Sequence, residues 1–177
     1  AVVCPASAMP TLSELTQYLS RLASPETLRH VWSVLRHVPA GGVLMGRIIG
    51  RLAPYSGTIR PEVLTLEAGY TRVRMRDRPA VRNHLRSVHA IALMNLGEVA
   101  TGVAVLSSLD EGMRGIITHL EMDYVKKARG TITAECRAPA TSAQERREYD
   151  VQADLTDEAG EVVARARARW LIGPAMH

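Results

Sequence analysis

The stretch that decides the fold is RNHLRSVHAIALMNLGEVATG, residues 82–102. From Val88 onwards it is an apolar run of helical length, interrupted only by His89, Asn95, Glu98 and Thr101. A helix that is apolar on nearly all sides needs other elements packed around it. The run therefore predicts a buried core helix over residues 88–107, with a carboxylate placed inside an apolar environment.

Three of these polar residues form one narrow stripe, because Asn95, Glu98 and Thr101 are spaced three apart. Burial of an ionised glutamate without partners costs several kcal/mol, and the usual response is a raised pKa. Glu98 is therefore either a candidate acid, base or nucleophile, or a glutamate neutralised by an arginine, and spacing leaves both open. Gly97 and Gly102 each weaken the helix by about 1 kcal/mol relative to alanine, which favours close approach of another backbone or a ligand.

The segments around this helix alternate with the period of a strand. Residues 63–78 predict two strands broken at Ala68-Gly69. Further strand-like runs cover residues 115–128, 130–138, 144–155 and 160–173, with a hairpin signal at 156–160. This order predicts an α+β domain in which a curved antiparallel sheet wraps around one long apolar helix.

The N-terminal part predicts helices instead. Residues 11–22 carry leucines at helical spacing, and Ser24-Pro25-Glu26 is typical of a helix start for a second helix that ends at PAGG, residues 39–42. Residues 43–57 form an apolar connector of ambiguous structure. We therefore expect an N-terminal helical extension over residues 1–57 and the sheet domain over residues 58–177.

Composition restricts the function classes. The 177 residues, 46% hydrophobic and 23% charged, suit one globular domain with an extension. A net charge of +4 with 4% aromatic residues lacks the basic and aromatic patches of nucleic-acid binders, but is compatible with a small anionic ligand.

The two cysteines, Cys4 and Cys136, have neither a disulfide pattern nor a metal-ligand spacing, so we expect no metal and a cytoplasmic protein. The first ten residues lack the features of a signal peptide. The apolar helix is long enough to span a membrane, but Asn95, Glu98 and its glycines favour burial in a protein core, so no membrane insertion is expected.

A family resemblance emerges from the central stretch. The pattern Asn83-x-x-Arg86-x-x-His89-Ala90-Ile91-x-x-x-x-Leu96-x-Glu98-x-Ala100-x-Gly102 resembles the hotdog-fold thioesterase signature in its phenylacetate-degradation form, N-x-x-G-x-x-H-G-G-x-x-x-x-L-x-D/E-x-A-x-G. Residues 122–130 are similar to the strand that follows in that family, and residues 157–170 to its closing hairpin. The resemblance covers residues 58–173. Arg86 and Ala90-Ile91 depart from it, because they stand where the family has glycines.

The resemblance implies a hotdog fold and an acyl-CoA thioesterase. Amides near His89 and Ala90 would stabilise the negative charge that develops on the thioester carbonyl. Glu98 would act as general base on water, or as a nucleophile that forms an anhydride. Asn83 would orient water or substrate, and His89 would position the carbonyl or the helix start.

The resemblance also implies that the site lies between two subunits of a homodimer or a homotetramer built as a dimer of dimers. Thr118 is the candidate for a hydroxyl on the partner side, and Ala90 lies at the substrate. Lys126, Lys127 and Arg129 would meet the phosphates of coenzyme A. No cofactor is expected, since coenzyme A is part of the substrate.

Each assignment has a structural alternative. His89 could cap the helix, Asn83 could be a turn residue, and Thr118 could be an ordinary strand residue. Arginines that alternate with smaller residues predict a solvated sheet face; they are Arg72, Arg74, Arg76, Arg78, Arg165, Arg167 and Arg169.

Two other functions stay open on the same fold. A non-catalytic acyl-thioester binding protein is favoured by Arg86 and Ala90-Ile91, whose bulk replaces the glycines of the signature. A hydroxyacyl-thioester dehydratase would use His84, which precedes Glu98 by 14 residues, although the prolines that frame that motif are missing. The N-terminal helices could also serve an interaction.

Overall fold

The computed structural model describes residues 24–140 and 146–174. Its helices are α1 (Pro25–Leu35), α2 (Gly41–Leu52), α3 (Pro54–Gly57) and α4 (Ala90–Ser108). Its strands are β1 (Glu62–Glu67), β2 (Tyr70–Met75), β3 (Met113–Tyr124), β4 (Ile132–Arg137), β5 (Arg147–Thr156) and β6 (Val162–Pro174). The helix predicted over residues 11–22 lies outside the described residues.

The six strands form one curved antiparallel sheet in the order β1-β2-β4-β5-β6-β3. The long helix α4 packs on this sheet, and its Leu96, Ala100 and Ala104 are fully buried. The α+β fold predicted from the alternating and helical periods is therefore confirmed. It leaves β1 and β3 as the two edges of the sheet among the described residues.

The two glycines inside α4 mark close approach of side chains, and not of the backbone or ligand that their position predicted. A Cβ on Gly97 would lie 2.5 Å from the Cβ of Ala166 on β6. A Cβ on Gly102 would lie 3.3 Å from the indole of Trp170, also on β6. The neighbour is thus a β6 side chain in both places, and the glycines let the helix lie close to the centre of the sheet.

The ambiguous connector over residues 43–57 consists of helices α2 and α3. Sequence propensity missed them because their glycines disfavour an isolated helix. In the fold these glycines are contact points: a Cβ on Gly46 would lie 1.6 Å from the carbonyl oxygen of Pro61, and one on Gly50 would lie 2.8 Å from the Cα of Gly57. Backbone packing, absent from any local pattern, stabilises both helices against β1 and against each other.

The solvated arginine face is present on the sheet. Arg165 pairs with Asp154 at 3.4 Å, and Arg169 pairs with Asp150 at 2.8 Å. Arg167 pairs with Glu121 at 2.6 Å and also with Asp123. Such exposed pairs contribute little stability each, typically up to about 1 kcal/mol. Arg76 and Arg78 lie beyond the end of β2 and serve a different surface, described below.

Candidate active site

The polar stripe of α4 faces helix α3. The Nδ2 of Asn95 donates to the carbonyl oxygen of Tyr55 at 3.1 Å, and the Oγ of Ser56 donates to Oε2 of Glu98 at 3.3 Å. Thr101 is fully buried and donates to the main-chain oxygen of Glu98 at 3.1 Å, within its own helix. Asn95 and Glu98 of the stripe therefore contact α3, whereas the Thr101 hydroxyl forms its hydrogen bond within α4.

The environment of Glu98 disfavours its charge. Burial raises the pKa of the Glu98 carboxyl above its ordinary value, and the hydrogen bond from Ser56 opposes this only in part. No arginine, lysine or histidine of the described residues forms an ion pair with it. Of the two roles left open by the sequence, neutralisation by an arginine is therefore absent from the described part of the chain.

A second glutamate shows what neutralisation looks like in this protein. Burial alone would raise the pKa of Glu62, but hydrogen bonds and charges from Arg76 and Arg74 outweigh it and lower that pKa. Arg74 Nε donates to Glu62 at 2.9 Å, and Arg76 Nε donates at 2.5 Å. The arginines therefore favour the ionised form of Glu62, which has a structural role. Burial instead favours the protonated form of Glu98.

The start of α4 is capped by its own histidine. His89 is the N-cap residue, and its Nδ1 accepts the amide of Ile91 at 3.1 Å. The His89 amide donates to the carbonyl oxygen of Val81 at 2.8 Å. The predicted capping role of His89 is present in the geometry. Of the two amides expected at the carbonyl, only that of Ala90 makes no hydrogen bond among the described residues.

A cavity of about 200 Å³ opens beside this helix start. It is lined by residues that include Tyr55, Thr58, His89 and Asn95. The buried Oδ1 of Asn95 accepts no hydrogen bond from the described residues. Because buried polar atoms are normally paired, this oxygen is an acceptor without a partner on a residue that lines the cavity.

The loop before α4 is built around Asn83. Its Oδ1 accepts from the amides of Leu85 at 2.9 Å and Ser87 at 3.2 Å, so the side chain organises a turn. Arg86, in the same turn, has a φ of 55°. This left-handed conformation is one that glycine adopts at lower cost than arginine.

The remaining predicted residues lie farther along the chain. Thr118 lies on β3 at an irregularity of its pairing with β6, and its Oγ1 donates to the carbonyl oxygen of Arg169 at 3.3 Å. Lys126 pairs with Asp157 at 2.8 Å and also with Glu161. Lys127 and Arg129 are exposed and form no ion pair with a described residue. His84 is exposed in the Asn83 turn.

Sequence analysis missed the contribution of α3. Ser56 touches Glu98, and Tyr55 accepts from Asn95, yet both stand in the segment whose structure was ambiguous. A proline at the first position of α3 was the available signal for a helix start.

Comparison with known proteins places the chain in a family. The model of the family described as "Domain of unknown function (DUF4442)" matches residues 41–172. The chain belongs to this family. No curated protein matches the chain.

Several solved structures are also similar to this chain. A structural genomics protein is 27% identical with a TM-score of 0.72, covering 84% of this chain and 99% of its own. A Pseudomonas aeruginosa protein of unknown function, named a probable thioesterase, is 26% identical with a TM-score of 0.67, covering 78% of this chain and 97% of its own. A hypothetical thioesterase from Streptococcus pneumoniae, solved with coenzyme A, is 19% identical with a TM-score of 0.55, covering 66% and 88%. The resemblance to hotdog-fold thioesterases is thereby confirmed.

Two general features of this DUF4442 protein bear on the site. Helix α4 has the length and composition of a membrane span, but 67% of its apolar window is buried inside the fold, as in a core helix. Within residues 24–140 and 146–174, no three histidine, cysteine, aspartate or glutamate side chains group as a metal site would require.

Proposed function

We propose that the protein is an acyl-CoA thioesterase in which Glu98 acts as the general base or nucleophile. One observation carries the proposal: Glu98 occupies the acidic position of the thioesterase signature, partly buried, with a raised pKa and no cationic partner among the described residues. A carboxylate with a raised pKa is a stronger base than a solvated glutamate, which suits it to accept a proton from water. The solved thioesterases of the same fold support the assignment at the level of reaction class.

In the general-base route, the carboxylate of Glu98 takes a proton from water as the water oxygen adds to the thioester carbonyl carbon. The carbonyl becomes a tetrahedral oxyanion, which the free amide of Ala90 stabilises. Collapse of this intermediate breaks the carbon–sulfur bond, and the departing thiolate takes up the proton from Glu98. In the nucleophilic route the carboxylate itself adds to the carbonyl carbon, and the carbon–sulfur bond breaks to release the thiolate and leave an anhydride. Water then hydrolyses this anhydride to the free acid and regenerates the Glu98 carboxylate. In both routes Asn83 would orient water or substrate, and His89 would position the carbonyl or the helix start.

The spacing along α4 supports a site shared between two subunits. Ala90 and Glu98 are eight residues apart, which corresponds to about 12 Å along a helix axis. The Glu98 side chain covers only part of this distance, so the spacing favours a reacting carbonyl that meets the two groups on different helices. We propose that Glu98 of one subunit works with the helix start of another, on which side Thr118 remains the candidate hydroxyl.

The proposed partner is a second copy of the chain. Strand β3 is a sheet edge of 12 residues, and Ile116 on it is 51% exposed. A long edge with exposed apolar side chains favours pairing with another chain. Coenzyme A belongs to the substrate in this proposal, which needs no cofactor, and we place the reaction in the cytoplasm.

Free-thiol release tests this function. Wild type, Glu98→Ala and Glu98→Gln are assayed with short, medium, long and aromatic acyl-CoAs, and circular dichroism verifies folding. We expect release from at least one substrate, lowered about 10²- to 10⁴-fold in both variants. Equal activity in wild type and variants would place the chemistry on another residue.

A non-catalytic acyl-thioester binding protein is the second candidate. It is favoured by the helix start, where the amides of His89 and Ile91 are already bonded within the chain. It predicts that acyl-CoA raises the Tm while no substrate releases thiol. A dehydratase ranks third, because the prolines that frame its motif are missing from the sequence. It would depend on His84 and would change substrate absorbance without releasing thiol.

A further inference from the structure

A larger cavity, of about 970 Å³, lies between α2 and the segment that leads into β1. Its lining includes five arginines, Arg47, Arg51, Arg60, Arg76 and Arg78, and we name it the arginine cavity. We propose that the arginine cavity binds the phosphate groups of a small, multiply phosphorylated ligand.

The charge of the arginine cavity is largely uncompensated. Among the described residues Glu62 is the one carboxylate in its lining, and that carboxylate is already bonded by Arg74 and Arg76. The other four cavity arginines form no ion pair with any described residue. Arginines on the sheet face, by contrast, are paired with aspartates and glutamates. The arginine cavity therefore holds guanidinium groups that have no carboxylate partner among the described residues.

The arginines of the cavity affect one another. The pKa of Arg78 is lowered, by burial first and by the positive charge of Arg60 second. The Arg78 guanidinium also donates to the carbonyl oxygen of Thr58, which holds it in place. Arg60 itself has a φ of 53°, a conformation that costs free energy in a residue other than glycine. An anion between these side chains would reduce the electrostatic repulsion between the guanidinium groups of Arg60 and Arg78.

The geometry suits phosphate rather than a single carboxylate. Arg47 and Arg51 are four residues apart on α2, so they project from the same side of the helix. Planar guanidinium groups bind phosphate oxygens in pairs, and several of them around one space match several phosphates. The cavity volume is that of a small-molecule site.

The arginine cavity adjoins the candidate active site. Thr58 and Ile59 line both the arginine cavity and the small cavity that contains His89 and Asn95. We assign the arginine cavity to the nucleotide end of the acyl-CoA, with the thioester toward the small cavity. This assignment rests on the proposed function. Lys126, expected earlier to meet these phosphates, is instead paired with Asp157 and Glu161.

Isothermal titration calorimetry of the full chain tests the proposal directly. Adenosine 3′,5′-bisphosphate and inorganic pyrophosphate are titrated into wild type, an Arg47→Gln/Arg51→Gln double variant and the control Arg36→Gln. Arg36 is an exposed arginine outside the cavity, without an ion pair to a described residue. We expect the double variant to raise the Kd for the bisphosphate at least about tenfold, and the control to leave it unchanged.

Binding of both probes would show that phosphate alone is recognised. Binding of the bisphosphate alone would show that the nucleoside contributes. Either result supports the proposal if the double variant binds the probe more weakly than wild type. No binding to wild type, or equal binding to the double variant, would overturn the proposal. This outcome is independent of catalysis. Where thiol release is found, the double variant should raise KM for acyl-CoA and leave hydrolysis of the acyl-N-acetylcysteamine, which lacks phosphates, unchanged.

Discussion

At the residue scale, Glu62 and Glu98 show how surroundings determine a carboxyl group. Both are partly or fully buried, but Glu62 has two arginine partners and Glu98 has one serine. The charged form of Glu62 is favoured and that of Glu98 is disfavoured. Glu98 was predictable from its place in an apolar helix, whereas its contact with Ser56 was not, because that contact spans 42 residues of sequence.

The raised pKa of Glu98 makes a prediction about stability. Its protonated form is the one the fold favours, so this contribution is fully present below the ordinary value of 4.5 and is lost as pH rises through the folded pKa. At pH 7 the ionised side chain therefore destabilises the wild type. We expect Glu98→Gln to have the higher Tm at pH 7, by thermal unfolding, with the difference shrinking below about pH 4.5. A lower Tm for Glu98→Gln at pH 7 would contradict this.

Arg86 makes a second prediction at this scale. Its φ of 55° carries a cost that glycine avoids, although glycine loses more entropy on folding. We expect Arg86→Gly to raise the free energy of unfolding, by up to about 1 kcal/mol, in urea denaturation. Arg36 has a right-handed φ of −58°, so Arg36→Gly should lower it. The conformation of residue 86 would be wrong if both substitutions destabilised equally.

At the scale of elements, the sheet and the core helix were predictable because each has a clear period. Helices α2 and α3 were not, since their glycines weaken the local signal and their stability comes from contacts with Pro61, with each other and with α4. The boundary after residue 57 between extension and sheet domain stays a proposal. The family match begins at residue 41, within the proposed extension.

The packing of α4 on β6 is testable at Gly97. Alanine would raise helix propensity by about 1 kcal/mol, but its Cβ would lie 2.5 Å from that of Ala166. We expect the clash to win, so that Gly97→Ala lowers the free energy of unfolding by about 1–3 kcal/mol.

The double variant Gly97→Ala/Ala166→Gly provides the control for Gly97→Ala. Removing the opposing methyl group should recover part of the loss, which a double-mutant cycle measures as a favourable coupling. Additive effects would mean that the two residues do not touch.

At the scale of the whole molecule, the proposed shared site requires two subunits. Neither a dimer nor its interface could be predicted from residue patterns alone, because a strand edge looks the same in sequence as any other strand. We expect light scattering to give a mass above that of the 19.3 kDa chain. Ile116→Arg, on the exposed edge β3, should shift the protein to monomers and remove thiol release while circular dichroism stays unchanged. A monomer with full activity would contradict the shared site.

The pH dependence of kcat/KM is the measurement that decides whether Glu98 supplies the base for thioester hydrolysis. Wild type should gain activity as pH rises through an apparent pKa above the ordinary value of 4.5, because the ionised carboxylate is the active form. Glu98→Gln should lose this rising limb together with about 10²- to 10⁴-fold of the rate. An unchanged rate and an unchanged limb in Glu98→Gln would contradict the account.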